Sequence, residues 1–312
     1  MTPMTDPGGL RTITIEGNSS GPHLLITAGV HGDEFTSIAA VRTLAQTVTS
    51  SELTGRLTLV PIANRAAVLR GERTAEDGLD LARVCPGIPE GSITERTAAA
   101  LSALIRSADA YIDLHTGSST MSVMPLVGYT LHRDDTVLNR QRQMALNFNL
   151  PAVWGTSPDL EGRTLSVARD AGIPAIYAEF LGAGVLSDQG VEAYVDGCRN
   201  VMGLLGMVDR EQPECRIGYV FEDERPGSGH MQVQNPSPAT GFFRAVVELG
   251  DRVRPGDRIG RVVNIDDDTV TDIVCEVEGI VIVIWTFPVI HEGDSAFVIL
   301  EIPENPTPPE ED

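Results

Sequence analysis

The sequence predicts an α/β protein in which a layered part is followed by a β-rich part. Between residues 12 and 206, short apolar runs typical of buried strands alternate with longer segments whose apolar residues recur at helical spacing. After about residue 213, the pattern changes to short alternating strands separated by Gly-Asp turns. We therefore expect domains over residues 1–212 and 213–302, and a disordered, acidic, proline-rich tail over residues 303–312.

In the first part, predicted strands and helices follow one another in a regular order. Apolar runs predict strands over residues 12–16, 24–28, 57–63, 111–114, 152–154 and 175–178. Helical spacing predicts helices from residue 36 onward and over residues 92–107, 134–149, 164–171 and 188–206. Ser92 and Glu95 form the sequence pattern of a capping box at the start of the second helix. The polar stretch 64–91 predicts a long loop, and such loops in compact domains are often functional.

The β-rich part resembles the half-barrel of lipoyl and biotinyl carrier domains, most clearly over residues 241–260 and 277–283. A carrier domain needs a lysine at a hairpin turn, and the sequence contains no lysine. We therefore expect this part to be structural or to cover a site in the first part.

The charge balance excludes several classes of function. The 23 basic residues are all arginine, against 44 acidic residues, for a net charge of −21. This charge disfavours a nucleic-acid or anionic-membrane partner, and the missing lysine excludes P-loop and Schiff-base chemistry.

Compartment and assembly are only partly constrained. The sequence has neither an apolar run of the ~18 residues that span a bilayer nor a signal-peptide pattern, so we expect a cytoplasmic protein. The four cysteines lack metal-cluster spacing and are predicted to be free thiols. A homo-oligomer is compatible with these features.

Two predicted strands end in metal-ligating residues. His31 and Glu34 follow the strand at 24–28, and His115 follows the strand at 111–114. Imidazole nitrogen and carboxylate oxygen are zinc ligands, and a catalytic zinc usually has three protein ligands. Because ligands in open α/β sheets bind beyond the carboxyl ends of strands, these residues are candidates for one site. A third strand ends in Glu179, a candidate general base.

Four motifs in a fixed order resemble the succinylglutamate desuccinylase/aspartoacylase family, which is related to the zinc carboxypeptidases. They are GVHGDE at residues 29–34, DGLDLAR at 77–83 with Pro-Gly at 86–87, DLH at 113–115, and the segment around Glu179. The resemblance covers nearly the whole chain. It implies a three-layer α/β/α zinc-carboxypeptidase-like domain with a mixed sheet, and a zinc-dependent hydrolase that cleaves the amide bond of a small N-acylated amino acid or amine.

The resemblance also implies roles for residues at the metal. His31, Glu34 and His115 would bind one zinc ion per chain. Glu179 would be the general base toward the zinc-bound water, and Asp80 would orient His31 through the ring nitrogen that faces away from the metal.

Three arginines match positions that contact substrate in the family. Arg73 would polarise the scissile carbonyl, although a solvated surface arginine is an equal alternative. Arg83 and Arg163 would bind a substrate carboxylate, with Arg169 as the competitor for the second position. Among family branches, the spacing around residues 92 and 113 resembles that of the deacetylases of acetylated diaminobutyrate in ectoine breakdown.

Two positions depart from the family pattern. Ala82 stands where the family usually has an asparagine that helps to hold a substrate carboxylate, and Cys85 stands where a phenylalanine is common. The metal motif is untouched by these changes, but the identity of the substrate is not fixed by the resemblance.

Other functions have weaker support in the sequence. A carboxypeptidase acting on short peptides is disfavoured by Ala82 and by a C-terminal part that should narrow access. A catalytically inactive binding homologue is disfavoured because the four candidate metal and base residues are all present. A serine hydrolase is disfavoured because the sequence lacks the Gly-x-Ser-x-Gly elbow.

Overall fold

The structure, a computed structural model, describes residues 4–5, 10–231 and 233–301. The predicted acidic tail at 303–312 lies outside these residues. Within the described ranges, no helix has both the length and the apolar character needed to cross a membrane. The helices of this part of the chain are α1 (Phe35–Thr47), α2 (Arg65–Arg70), α3 (Leu81–Val84), α4 (Ile93–Arg106), α5 (Asp135–Phe148), α6 (Thr164–Asp170) and α7 (Asp188–Leu204).

The strands form one large mixed sheet and one smaller antiparallel sheet. Those in the described residues are β1 (Met4–Thr5), β2 (Arg11–Glu16), β3 (Ser19–Ala28), β4 (Thr54–Val60), β5 (Ala110–Leu114), β6 (Met121–Thr130), β7 (Ala152–Thr156), β8 (Ala175–Gly182), β9 (Tyr219–Glu222), β10 (Gly241–Ala245), β11 (Arg252–Val253), β12 (Arg258–Val263), β13 (Val270–Val274), β14 (Gly279–Trp285), β15 (Val289–Ile290) and β16 (Phe297–Glu301).

The large sheet has the order β1-β2-β4-β3-β5-β8-β6-β14-β11, with β7, β9 and β16 attached beside this path. Strands β4, β3, β5 and β8 are parallel to one another, whereas β2 and β6 join this group antiparallel. The predicted mixed sheet is therefore confirmed, and the carboxyl ends of β3, β5 and β8 lie at one edge.

Helices cover both faces of this sheet, as the predicted three-layer class requires. Alternate side chains of β3 point to opposite faces: Leu24 and Ile26 pack in a core with α1, α5 and α7, whereas Leu25 packs in a core with α3, α4 and α6. Helix α4 begins with the predicted capping box, since the Ser92 side chain accepts from the Glu95 backbone and the Glu95 side chain accepts from the Ser92 backbone.

The β-rich C-terminal part contributes to both sheets. Strands β10, β12, β13 and β15 form the small sheet, which shares an apolar core with β11, β14 and β16 of the large sheet. Strand β14 pairs with β6, so it extends the large sheet directly. The division into domains at residue 212 stays a prediction.

Two local predictions were wrong or incomplete. The stretch 64–91 is not one long loop, because it contains α2 and α3, whose N-caps Asn64 and Asp80 each accept a hydrogen bond from a backbone N–H of the helix. The ten-residue strand β6 was not predicted. Its pairing with β8 shifts register between Val123 and Leu126, on either side of Pro125, and proline lacks the N–H that a regular ladder needs.

Candidate active site

The sheet register brings the carboxyl ends of β3 and β5 level with the middle of β8, so Glu179 lies inside this strand and not beyond its end as the sequence predicted. Ala28 at the end of β3 pairs with Leu114 of β5, and Leu114 pairs with Ala178 of β8. The residues that follow these three therefore lie at the same level of the sheet. His115 and Glu179 come directly after their paired residues.

The turn after β3 is shaped by glycine. Gly29 has a φ of +65°, a left-handed conformation that favours glycine. Gly32 lies so close to α2 that a Cβ atom there would overlap the backbone of Ala67 and Glu72. This packing fixes the path of the chain between His31 and Glu34, and Glu34 is the N-cap residue of α1.

Each histidine of the site lies between two carboxylates. Nδ1 of His31 is 2.7 Å from Oε1 of Glu34, and its Nε2 is 3.0 Å from Oδ1 of Asp80. Nδ1 of His115 is 3.1 Å from Oε2 of Glu34, and its Nε2 is 3.1 Å from Oδ2 of Asp113. A carboxylate beside Nε2 favours a proton there, which leaves the Nδ1 lone pair available to a metal.

These three residues fit a divalent metal by the chemistry of their donor atoms. In the described part of the chain, His31, Glu34 and His115 are the one group of histidine, cysteine or acidic residues whose ligand atoms lie close enough to hold an ion, all within 4.8 Å of one another. Two imidazole nitrogens and one carboxylate form the donor set of a catalytic zinc with an open position. Burial tends to raise the pKa of Glu34, but the two histidines, through their charge when protonated and their hydrogen bonds, hold it well below its usual value.

The role of Asp113 was missed in the sequence. This buried carboxylate accepts hydrogen bonds from Thr27 Oγ1 at 2.6 Å and Thr164 Oγ1 at 2.5 Å, besides its contact with His115. Residues two apart on a strand face the same side of a sheet, so the spacing of Asp113 and His115 was the available signal. The structure places Asp80 against Nε2 of His31.

Glu179 lines the same cavity. It is only 6% exposed, and burial raises its pKa to about 8, although the charge of His115 opposes the shift. No residue in the described ranges forms a hydrogen bond with its Oε2 atom. A carboxyl group that titrates near neutral pH is suited to accept and return a proton.

Arg73 lies beside the candidate metal ligands rather than on the open surface. Its Nη2 donates to Asp80 Oδ2 at 2.9 Å, and its Nη1 donates to Ser118 Oγ at 3.1 Å. The Ser118 hydroxyl in turn donates to Glu34 Oε1 at 2.9 Å. Ser118 has a φ of 56°, an uncommon conformation for serine that often marks functional sites. Its linking position could not be inferred from sequence.

Arg83 and Arg163 contribute positive charge to the same cavity. Arg163 precedes α6, and its Nη1 donates to the Gly229 carbonyl at 3.3 Å. Its Nε and Nη2 atoms are buried and have no hydrogen-bond partner among the described residues. Burial and the charge of Arg83 lower the pKa of Arg163 to about 10. The competitor Arg169 instead contacts Glu161 and Asp170, away from this cavity.

The cavity that joins these residues has a volume of about 440 Å³. Among the described residues, five of those that line it come from the C-terminal part. The lining includes Ala82, whose methyl group cannot donate a hydrogen bond. The contributors from the C-terminal part are Gly229, Met231, Trp285, Asp294 and Ser295.

Comparison with characterised proteins gives a consistent result. The N-alpha-acetyl-L-2,4-diaminobutyric acid deacetylase of Halomonas elongata is 28% identical over 299 residues, covering 94% of this chain and 86% of that protein. The product-bound structure of the ectoine utilization protein EutE (DoeB) from Ruegeria pomeroyi has a TM-score of 0.85 and 26% identity, covering 95% of this chain and 92% of that one.

A further structure and a family model agree with these relatives. A succinylglutamate desuccinylase from Silicibacter sp. TM1040 has a TM-score of 0.83 and 27% identity, covering 93% of this chain and 88% of that one. The model of the succinylglutamate desuccinylase/aspartoacylase catalytic domain matches residues 20–205, more than half of the chain. The chain therefore belongs to the succinylglutamate desuccinylase/aspartoacylase family.

Proposed function

We propose that this protein is a zinc-dependent deacylase that hydrolyses the amide bond of a small N-acylated amino acid and holds about one zinc ion per chain. The observation that carries the proposal is the convergence of His31, Glu34 and His115 beside the buried Glu179 in one cavity. Membership of the family and the likeness to a deacetylase support it.

The metal would be held by Nδ1 of His31, Nδ1 of His115 and the carboxylate of Glu34. When bound there, zinc supplies a Lewis acid that lowers the pKa of a water molecule and polarises a carbonyl group. The chain contributes the orientation of the ligands, because Asp80 and Asp113 hold the far side of each imidazole ring.

Glu179 would carry the proton through the reaction. It accepts a proton as the water oxygen bonds to the acyl carbon, and it returns that proton to the nitrogen when the C–N bond breaks. The products are a carboxylate and an amine. Arg73, which Asp80 and Ser118 hold beside Glu34, stabilises the negative charge that develops on the carbonyl oxygen.

Arg83 and Arg163 would bind the carboxylate of the amino-acid part of the substrate. Two guanidinium groups face one cavity, and the charge of Arg83 helps to lower the pKa of Arg163, so the pair forms a favourable site for an anion. Because the Halomonas relative is a deacetylase of a diamino acid, acetylated 2,4-diaminobutyric acid is the first substrate to test.

The alternatives fit the structure less well. The cavity volume of about 440 Å³ is near the lower end of small-molecule sites, and Trp285 and Met231 line it from the C-terminal part. This cover disfavours a carboxypeptidase that acts on peptides. An inactive binding homologue has no need for a buried carboxyl group beside the metal ligands whose pKa lies near 8.

The test is release of primary amine by the zinc-loaded protein from N-acetyl, N-formyl and N-succinyl derivatives of a panel of amino acids that includes 2,4-diaminobutyric acid. We expect turnover of at least one derivative, and loss of turnover in Glu179→Gln with zinc content retained. Absence of amine release from every derivative, or an active Glu179→Gln variant, would overturn the proposal.

A further inference from the structure

Tyr177 is a cavity residue to which neither the family motifs nor the proposed mechanism gives a role. It lies on β8 two residues before Glu179, so both side chains face the same side of the strand. It lines the cavity together with Arg163 and Ala82. Among the residues that the structure describes, none forms a hydrogen bond with its hydroxyl group. A phenol hydroxyl at a substrate cavity is thus available as a donor.

The position of this phenol depends on Gly128. The two residues are directly opposite each other in the antiparallel pairing of β6 with β8. A Cβ atom on Gly128 would overlap the ring and hydroxyl of Tyr177. Glycine inside a strand often marks a close approach of another group, and here it lets the phenol lie across β6 at the cavity wall.

The surroundings of Tyr177 keep it protonated and place it near positive charge. Burial raises its pKa, the charge of Glu179 raises it further, and the guanidinium of Arg163 opposes the shift only in part. A protonated phenol donates a hydrogen bond at neutral pH. The Nε and Nη2 atoms of Arg163, which have no hydrogen-bond partner among the described residues, supply further donors in the same region.

We propose that Tyr177 donates a hydrogen bond to the carboxylate of the N-acyl amino acid and, with Arg163, replaces the donor that Ala82 cannot provide. The inference rests on the proposed deacylase function. It identifies a residue that selects substrates with a free carboxylate, and it makes Gly128 a positioning residue for that contact.

The experiment compares Tyr177→Phe with wild type on an N-acyl amino acid that the wild type hydrolyses and on its carboxamide. A hydrogen bond to a charged group that is lost on removing a hydroxyl lowers binding by about tenfold or more. For the carboxylate substrate, we expect KM of Tyr177→Phe to be about tenfold higher than that of the wild type, with kcat within about threefold of the wild-type value. For the carboxamide, kcat/KM of Tyr177→Phe should stay within about twofold of the wild-type value.

Two further variants sharpen the test. Gly128→Ala should reproduce the selective rise in KM, because its methyl group displaces the phenol. Tyr219→Phe, at a tyrosine that stacks on Phe221 outside the cavity, is the matched control and should leave both substrates unaffected.

The outcomes separate this inference from the function on which it rests. If the wild type turns over the substrate and Tyr177→Phe leaves KM unchanged, the inference is wrong and the deacylase function stands. The inference is equally wrong if kcat/KM of the variant falls to the same extent for the carboxylate and the carboxamide substrate, since that pattern indicates a structural role. If the wild type releases no amine from any N-acyl amino acid, both the role of Tyr177 and the deacylase function are wrong.

Discussion

Nε2 of His115 lies 3.1 Å from Oδ2 of Asp113, the same arrangement that joins Nε2 of His31 to Asp80 at 3.0 Å. Each candidate metal-binding imidazole thus has a carboxylate beside its Nε2 atom, on the side of the ring opposite to Nδ1. Asp113 is itself fixed by the hydroxyl groups of Thr27 and Thr164, so the support of His115 reaches from β3 to α6.

Replacing Asp113 by asparagine should weaken zinc binding by about 10- to 100-fold, because an orienting partner of a metal-bound histidine contributes about this much affinity. The measurement is a competition titration of metal-free protein against a chelator of known affinity. Asp196→Asn, at an exposed ion pair with Arg210, is the matched control. Equal affinity in wild type and Asp113→Asn would show that the contact does not support the ligand.

Glu179 should make the metal-free protein less stable as the pH rises. Burial raises its folded pKa from 4.5 to about 8, so the folded state binds the proton more tightly than the unfolded chain. This contribution to stability is fully present below about pH 4.5 and is lost as the pH rises to about 8.

Glutamine cannot titrate. The free energy of unfolding of Glu179→Gln minus that of the wild type should therefore increase by at least about 1 kcal/mol between pH 5 and pH 8. Urea unfolding in the presence of a chelator measures the difference, since a bound cation would itself lower the pKa of the carboxyl group. Glu76→Gln on the surface is the control. A constant difference across this pH range would contradict the proposed burial effect.

Gly32→Ala should damage the metal-binding turn through packing. The added Cβ atom overlaps the backbone of Ala67 and Glu72, and separating the turn from α2 should cost about 1–3 kcal/mol of unfolding free energy and weaken zinc binding. Thermal unfolding and zinc titration measure the two effects. Gly172→Ala is the comparison, because that site has a φ of +66° but nothing within 4 Å. Unchanged zinc affinity in Gly32→Ala would show that the turn tolerates the shift.

The sequence predicted the layered fold because the two periodicities are local properties. Strands β3, β5 and β8 are short apolar runs, and helices such as α4 carry both apolar spacing and a capping box. Strand β6 contains Pro125 and lacks clear alternation, so its place depends on pairing with β8 and β14 rather than on its own pattern. The join between β14 and β6 links residues more than 150 positions apart, which local patterns cannot reveal.

The residue types of the candidate site could be named from the sequence, but of its supporting contacts only that of Asp80 with His31 could be predicted. His31, Glu34, His115 and Glu179 could be named because strand ends carry ligands in α/β sheets. Arg163 and Arg169 lie at opposite ends of α6, and the choice between them depends on which one faces the cavity. The left-handed backbone of Ser118 is fixed by the three-dimensional arrangement of the site, and no sequence motif indicates it.

The most direct test of the account is the metal content per chain, measured by mass spectrometry on purified protein supplied with zinc and on His115→Ala treated in the same way. We expect about one zinc per chain in the wild type and loss of that zinc in the variant, because His115 would supply one of three ligands. A wild type that binds no zinc, or a variant that keeps it, would contradict the proposed metal centre and the hydrolytic function built on it.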